Sequence, residues 1–299
     1  MNYLAQIFPR FQNRRLPFSR DQLMLLMAAT NELFLGLDTY LAHVLNHTIQ
    51  PREWIPILFG PLAGLLLLVA GWIALRNRPV ASIMATLVLV LSMGVGLLGA
   101  YFHLIRGATP FAPAGQRLTL SLLVWGPPVL APFAFALVGL LGISAAWLER
   151  PADSGRLHLP AGITLQLPYS KTRAYFLMVC TGILIALVSS AFDHARQPWQ
   201  NGVLWIPLVT AVFAAVVALG MAAIDQPQRG DIWTYLGAML LLIVVGMVGT
   251  YFHILTDLNQ ESVIIPERFL RGAPILGPLL FSNMGILGLL VLLSPEENV

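Results

Sequence analysis

Long apolar stretches alternate with short polar segments along almost the whole chain. A helix needs about 20 consecutive apolar residues to cross a bilayer. Stretches of that kind predict transmembrane spans at 22–45, 55–75, 81–105, 119–147, 173–193, 205–223, 232–255 and 274–293. A transmembrane barrel would show short alternating strands instead. The pattern therefore predicts an all-α integral membrane protein with eight transmembrane helices.

Composition agrees with that prediction and narrows the possible partners. Hydrophobic residues make up 57% of the chain, charged residues 10%, and the mean hydropathy is +0.76. A soluble domain carries roughly 25% charged residues, so we expect the surface to contact a lipid bilayer. The single cysteine, Cys180, excludes disulfides and cysteine-based metal clusters within the chain.

The basic residues sort by side of the membrane, which argues against a nucleic-acid partner and for a defined orientation. One group lies on the N-terminal tail and in the loops after even-numbered spans: Arg10, Arg14, Arg15, Arg20, Arg76, Arg78, Arg150, Arg156, Lys171, Arg173 and Arg229. The smaller group is Arg52, Arg106, Arg117, Arg196, Arg268 and Arg271. The positive-inside rule then predicts a multi-pass protein of a bacterial-type inner (plasma) membrane with both termini in the cytoplasm.

Two short motifs occur twice, about half a chain apart. Tyr101-Phe102-His103 returns as Tyr251-Phe252-His253, 150 residues later (103 to 253). His43 precedes Trp54-Ile55-Pro56 at the same spacing at which His194 precedes Trp205-Ile206-Pro207, 151 residues later (43 to 194). The repetition predicts a tandem duplication that has kept four histidines.

The duplication predicts how the chain is divided. We expect a basic cytoplasmic tail at 1–20, a first four-helix repeat at 21–148, a cytoplasmic linker at 149–171, a second four-helix repeat at 172–294 and a tail at 295–299. Because each repeat has an even number of spans, the repeats are expected to be parallel. Pro128 and Pro132 in the fourth span match Pro274 and Pro278 in the eighth, and the second proline of each pair should bend its helix.

The four histidines lie near the C-terminal ends of odd-numbered spans, which predicts a common depth near the outer leaflet. Imidazole is a common ligand of haem and of transition metals. Small residues precede two of the histidines on the same helix face: Gly96 and Gly99 before His103, and Gly246 and Gly249 before His253. The space they leave suits either a flat macrocycle or a closely packed neighbouring helix. His43, His103, His194 and His253 are thus the candidate ligands of a b-type haem or of a Cu, Fe or Zn ion.

Several further residues are candidates for supporting roles. Tyr101, Tyr251 and Thr39 lie next to the histidines, and Asp257, one turn after His253, is placed to orient that imidazole. The alternative is that the tyrosines and histidines are interfacial residues with an apolar body and a wet polar tip.

A polar stripe runs along the first span. Glu32 lies near the predicted bilayer midplane, where a carboxylate is costly and often functional. It shares a helix face with Thr39 and His43, while Asp38 lies on another face. The stripe either carries protons or is a satisfied polar seam between helices. The duplication does not preserve it.

The chain has no Walker A loop, His-Glu-x-x-His, Gly-x-Ser-x-Gly or Rossmann fingerprint. The sequence therefore favours a membrane redox or electron-transfer subunit that holds a histidine-ligated cofactor, handles protons or a quinone with Glu32 and Asp38, and works with other membrane or periplasmic redox subunits. A transporter or metal-ion permease and a non-catalytic scaffold subunit remain as alternatives.

Overall fold

The computed structural model describes residues 3–9, 17–44, 49–108, 113–258 and 265–294. Its helices are α1 (Tyr3–Ile7), α2 (Arg20–Val44), α3 (Trp54–Ala74), α4 (Arg78–Gly107), α5 (Leu120–Trp125), α6 (Phe133–Ala146), α7 (Lys171–His194), α8 (Trp205–Ala223), α9 (Arg229–Asp257), α10 (Pro266–Arg271) and α11 (Leu276–Val291). The strands are β1 (Leu148–Glu149), β2 (Arg156–His158) and β3 (Thr164–Gln166). The predicted tail at 295–299 lies outside the described residues.

The chain is an α-helical protein with membrane-spanning character, as its apolar pattern predicted. Within the described ranges, five helical segments are long and apolar enough to cross a membrane: Pro51–Ala74, Arg78–Gly107, Lys171–His194, Gly202–Ala223 and Arg229–Asp257. Helices α6 and α11 are apolar but shorter, with 14 and 16 residues. Helix α2 has 25 residues but carries Arg20, Asp21, Glu32 and Asp38, which lower its apolar character.

The prediction of one continuous helix over 119–147 was wrong. The segment forms α5 and α6, which are separated by residues 126–132. Pro127, Pro128 and Pro132 lie in that break, and proline removes a backbone donor and clashes with the preceding turn. The break shortens the helix that the sequence placed in the fourth span.

The linker contains strands that the sequence analysis did not anticipate. β1, β2 and β3 form an antiparallel sheet in that order between α6 and α7. After β3 the chain enters α7 at Ser170, whose hydroxyl accepts a hydrogen bond from the Arg173 amide at 3.3 Å.

The long helices pack as two groups of four with matching neighbours. In the first half α2 packs on α3 and α6, and α4 packs on α3 and α6. In the second half α7 packs on α8 and α11, and α9 packs on α8 and α11. Between the halves α2 contacts α11 and α6 contacts α7. The α2–α11 contact thus corresponds to the α7–α6 contact, with the halves interchanged.

Equivalent glycines in the two halves let corresponding helix pairs approach each other equally closely. A Cβ on Gly139 of α6 would lie 2.6 Å from the Leu89 carbonyl oxygen of α4. A Cβ on Gly285 of α11 would lie 2.5 Å from the Met239 carbonyl oxygen of α9. Backbones approach this closely only where the side chain is absent, which is how transmembrane helices pack without a hydrophobic driving force.

The outer faces of the long helices are apolar, as contact with lipid requires. The most exposed large side chains include Leu58, Leu65 and Trp72 on α3, and Val209 and Val216 on α8. An apolar surface of this extent marks a membrane-contacting face.

A buried ionic network joins the two halves at the end of the helices nearest the sheet. The side chain of Asp21 accepts hydrogen bonds from Arg20 Nε at 3.4 Å, Lys171 Nζ at 2.5 Å and Tyr175 Oη at 3.0 Å. Arg20 Nη1 donates to Thr172 Oγ1 at 2.7 Å, and Lys171 Nζ also donates to the Trp147 carbonyl at 2.6 Å. Arg20 and Lys171 are each 1% exposed. One carboxylate of α2 thus binds cations from both halves.

The network reveals a third repeated motif. Leu16-Pro17-Phe18-Ser19-Arg20 matches Leu167-Pro168-Tyr169-Ser170-Lys171 at the 151-residue spacing already seen for His43 and His194. Ser19 accepts from the Gln22 amide at 3.3 Å, the same cap that Ser170 makes on α7. Equivalent helix starts therefore place equivalent cations around Asp21.

We expect Asp21→Ala to destabilise the protein strongly. The substitution leaves the Arg20 and Lys171 charges buried without a carboxylate, and breaking a buried ion pair in this way costs about 3–5 kcal/mol. The midpoint of thermal unfolding in detergent, followed by circular dichroism, measures the loss.

Asp225→Ala is the matched control. Asp225 binds Arg173 at 2.8 Å, but its side chain is 84% exposed, and exposed pairs contribute about 1 kcal/mol or less. Equal shifts of the midpoint in both variants would contradict the assignment of the network as the joint between the halves.

Candidate functional site

The C-terminal ends of α2 and α4 bring two predicted ligands together. The ring centroids of His43 and His103 lie 6.1 Å apart, with 54° between the ring planes. Both rings line one cavity of about 110 Å³, which also contacts Thr39, Asp38 and Phe135. The duplicated histidines of the first half therefore face a common space.

His103 takes its position from a carbonyl that two prolines set free. In a helix the Pro128 carbonyl would accept from the amide of residue 132, but Pro132 has no N–H. The carbonyl instead accepts from Ala131 N at 3.2 Å and from Nδ1 of His103 at 3.0 Å. The imidazole thus supplies a donor that the helix lacks.

The second half repeats this arrangement. Pro278 denies the Pro274 carbonyl its helical donor. That carbonyl accepts from Gly277 N at 3.1 Å and from Nδ1 of His253 at 2.9 Å. The paired prolines and the histidine of each half therefore form one structural unit.

These hydrogen bonds fix which ring nitrogen carries the proton. A carbonyl oxygen only accepts, so Nδ1 of His103 and of His253 must be protonated. Nδ1 of His43 donates to the Thr39 carbonyl at 2.7 Å in the same way. In a neutral ring the remaining nitrogen, Nε2, then has a free lone pair, which is the arrangement that metal-ligating histidines show.

The other two predicted ligands, His194 and His253, lie near the corresponding helix ends of the second half. Nδ1 of His194 is buried and has no hydrogen-bond partner among the described residues. In the part of the chain that the structure describes, no three His, Cys, Asp or Glu side chains come together as a metal-binding group.

A neighbouring helix occupies the space beside the four conserved glycines. A Cβ on Gly96 would lie 2.5 Å from Ala136 N, and one on Gly246 would lie 2.6 Å from Ser282 N. Gly99 and Gly249 pack in the same way on the side chains of Pro132 and Pro278. The sequence left two explanations for these glycines, and the structure shows close helix packing at their positions. Gly99 also lines the cavity.

Three residues predicted to support the histidines lie elsewhere. Tyr101 and Tyr251 are each 57% exposed and pack against the adjacent phenylalanine of their own helix. Asp257 does not orient His253, since its Oδ1 accepts from the Ala273 amide at 2.9 Å in the loop before α11. The Pro274 carbonyl takes the role that the sequence analysis gave to this carboxylate.

A charged rim surrounds the first cavity, and its residues have uncharged equivalents in the second half. The rim consists of Asp38, Arg52, Glu53 and Arg106. Arg106 binds Glu53 at 3.3 Å, and Arg52 lies 5.2 Å from the centre of the Phe102 ring. The equivalent positions in the second half hold Ser189, Val203, Leu204 and Thr256. The halves share their histidines and prolines but differ in charge.

Glu32 lies below the cavity and is fully buried. Its Oε1 contacts Oγ of Ser92 on α4, and Oγ of Ser92 also lies 2.8 Å from the Phe135 carbonyl of α6. The ring of Phe135 lines the cavity above. The acid and the paired imidazoles therefore share one set of three helices.

Sequence reasoning missed Ser92, the carbonyl partners of the histidines and the repeated Leu-Pro-x-Ser motif. Two of these had a usable signal. The Pro-x-x-x-Pro spacing implies a carbonyl without a helical donor, and the Leu-Pro-x-Ser match lies at the spacing of the other repeats. Ser92 had none, because its partner Glu32 is 60 residues away along the chain.

Comparisons of the chain with protein-family models, with curated proteins and with solved structures find no match. The function of the chain is therefore inferred from its residues and their geometry.

We expect Nδ1 of His43, His103 and His253 to carry a hydrogen in the folded protein. Their carbonyl partners only accept, so the ring nitrogen must donate. Nitrogen-15 NMR of protein labelled at histidine distinguishes the two ring nitrogens, and single histidine substitutions assign the signals. His158 on the exposed strand β2 is the reference for a solvated ring. A protonated Nε2 with a bare Nδ1 at His103 would contradict this geometry.

Proposed function

We propose that this protein is an eight-helix protein of a bacterial-type inner membrane, built from two tandem parallel four-helix repeats. Three motifs that repeat after 150 or 151 residues support the duplication, as do the matching helix neighbours and the equivalent glycine contacts. On this proposal α6 and α11 cross the bilayer as shortened helices; α6 begins after Pro132, and α11 begins at Leu276 with Pro278 in its first turn. The distribution of Lys and Arg supports a cytoplasmic location for both termini.

We further propose that the protein is a redox or electron-transfer subunit that binds a transition-metal ion between His43 and His103. The observation that carries the proposal is the pair of rings on one cavity, each with Nδ1 bound to a backbone carbonyl and Nε2 left as a lone pair. This hydrogen bonding fixes ring tautomer and raises ligand basicity at known metal sites.

The separation of the rings suits one ion. Metal–nitrogen bonds of 2.0–2.1 Å let the centroids of two imidazoles bound to the same ion lie roughly 5 to 6.4 Å apart. The 6.1 Å separation of His43 and His103 falls within that range. Imidazole suits copper, iron, zinc and nickel, and of these copper and iron change oxidation state.

A bare ion fits the site better than a b-type haem does. The cavity has a volume of about 110 Å³, which suits an ion with a few water ligands. The glycines that would make room for a macrocycle pack instead against α6 and α11. An absorption spectrum separates the two cofactors, because haem gives a Soret band.

Protons and electrons would reach the ion by different routes. Glu32 below the cavity and Asp38 on its wall are the acids placed to handle protons. Electrons would come from a quinol in the bilayer or from another membrane or periplasmic redox subunit. The exposed Arg52 and Arg106 at the rim are suited to an acidic surface on such a partner.

We expect His103→Ala to abolish high-affinity metal binding by the first half. Changes to the groups that support a ligand already cost about 10–100-fold in affinity, so loss of the ligand itself should cost more. Metal bound after incubation with copper, iron or zinc and desalting, measured by mass spectrometry, gives the stoichiometry. His158→Ala is the control, since His158 lies on the exposed strand β2.

We expect Pro132→Ala to weaken the same binding about tenfold without removing a ligand. The substitution returns an amide donor to the Pro128 carbonyl and so competes with Nδ1 of His103. Pro278→Ala makes the same change in the second half and should leave the first site unaffected. Equal binding by wild type, His103→Ala and Pro132→Ala would overturn the proposed centre.

A transporter or metal-ion permease is the second candidate, and one feature favours it. The cavity lies at the histidine end, whereas the Asp21 network closes the junction between the halves at the other end. Proteoliposomes with a metal-sensitive dye inside separate the candidates. Uptake that His103→Ala abolishes would establish transport, whereas a bound ion that is reduced and reoxidised without uptake supports the redox subunit.

A further inference from the structure

Glu32 is a buried titratable group outside the imidazole pair. Its side chain is fully buried among α2, α4 and α6. It lies eleven residues before His43, roughly 16 Å along α2 at 1.5 Å per residue, and Leu35 between them lines the cavity. The protonation state of a carboxyl group at this depth must be explained, because burying an isolated carboxylate costs a large amount of free energy.

The hydrogen bonds of Ser92 indicate the protonation state of Glu32. A serine hydroxyl has one hydrogen to donate. Oγ of Ser92 contacts the Phe135 carbonyl at 2.8 Å and also the Glu32 carboxyl. Since the carbonyl cannot donate, the serine hydrogen goes to Phe135. The contact with Glu32 then needs a hydrogen from Glu32 itself, so the acid is protonated and donates to Ser92.

The surroundings of Glu32 point the same way. Its Oε2 has no hydrogen-bond partner among the described residues. The helices packed on α2 have no charged side chain near this level. On α3 and α4 the charged or titratable groups lie at the ends (Arg52 and Glu53 just before α3, and Arg78, His103 and Arg106 on α4), and α6 and α11 have none. On α2 itself the nearest is Asp38, an acid. No described cation stabilises an ionised Glu32.

The second half shows that the fold does not need this acid. Ile183 and Leu242 stand at the positions equivalent to Glu32 and Ser92, and all four residues are 0% exposed. Phe281, equivalent to Phe135, is buried to the same 3% exposure. An apolar pair therefore fills the same space in the same helical setting. The polar pair of the first half is therefore not a requirement of packing.

We infer that Ser92 holds Glu32 as a neutral acid, and that this acid releases one proton when a cation enters the cavity between His43 and His103. The inference deepens the proposed function and rests on it. The cation adds positive charge roughly 16 Å from the carboxyl, eleven residues along α2 at 1.5 Å per residue, in a low-dielectric interior, which favours the carboxylate. The O–H bond of Glu32 breaks, the proton leaves to water, and the charge of the site rises by one unit less than the charge of the cation.

Difference infrared spectroscopy tests the neutral acid directly, because only a protonated carboxyl has its carbonyl stretch above the amide I band. We expect such a band in the wild-type protein before any metal is added, and its loss in Glu32→Gln. Ser92→Ala should shift the band. Ser282→Ala is the matched control, since Ser282 is also buried and donates to the Ile243 carbonyl at 2.9 Å without an acid nearby.

The double substitution Glu32→Ile with Ser92→Leu is a control for misfolding of the single variants. It copies the pair that the second half carries, so the variant should fold while lacking the band. Absence of the band from well-folded wild-type protein, or its persistence in this variant, would overturn the inference.

Addition of the metal ion that binds most tightly completes the test. We expect the acid band to disappear as the metal binds, together with the release of one additional proton relative to Glu32→Gln. Metal binding with an unchanged band overturns the inference but leaves the proposed centre intact. Failure to bind any metal overturns both, and the band of the metal-free protein then still shows whether Ser92 holds a neutral acid.

Discussion

A carbonyl without its helical donor is the constraint around which each half of this protein is built. In the apolar part of a membrane every backbone polar group must find a partner within the protein. Pro132 and Pro278 each remove the amide that would satisfy the carbonyl four residues earlier. His103 and His253 supply a second donor from the neighbouring helix, beside the amides of Ala131 and Gly277. Because a carbonyl only accepts, Nδ1 carries the hydrogen of this bond, and in a neutral ring Nε2 keeps its lone pair and can bind a ligand.

The two halves serve as an internal comparison that separates structure from chemistry. They share the histidines, the proline pairs and the glycines that bring α4 against α6 and α9 against α11. These shared features satisfy backbone groups and set the helix spacing, which any copy of the fold needs. The features found in the first half alone are different in kind: a charged rim, and a buried acid with a serine beside it. A change from Glu32 and Ser92 to Ile183 and Leu242 at equal burial shows that packing does not require the polar pair.

The joint between the halves depends on a carboxylate that only one of them carries. Arg20 and Lys171 are equivalent by position, and two buried cations at a twofold axis would repel each other. Asp21 lies beside both, while Thr172 takes the equivalent position in the second half and accepts from Arg20. The two halves thus form one structure in which the cavity lies at one end and the Asp21 network at the other.

The sequence by itself determined the helical membrane character, the repeated motifs and the candidate histidines, because apolar length and matched spacing are local properties of the chain. It also offered two uses for the conserved glycines, which no local pattern could separate. Tertiary structure decided that neighbouring helices fill the space beside them, that His43 and His103 face one cavity, and that Asp257 accepts a hydrogen bond from a loop amide. It also brought Ser92 to Glu32 across 60 residues. Hydrogen bonds between distant segments depend on which helices become neighbours, and that choice is made by packing across the whole bundle.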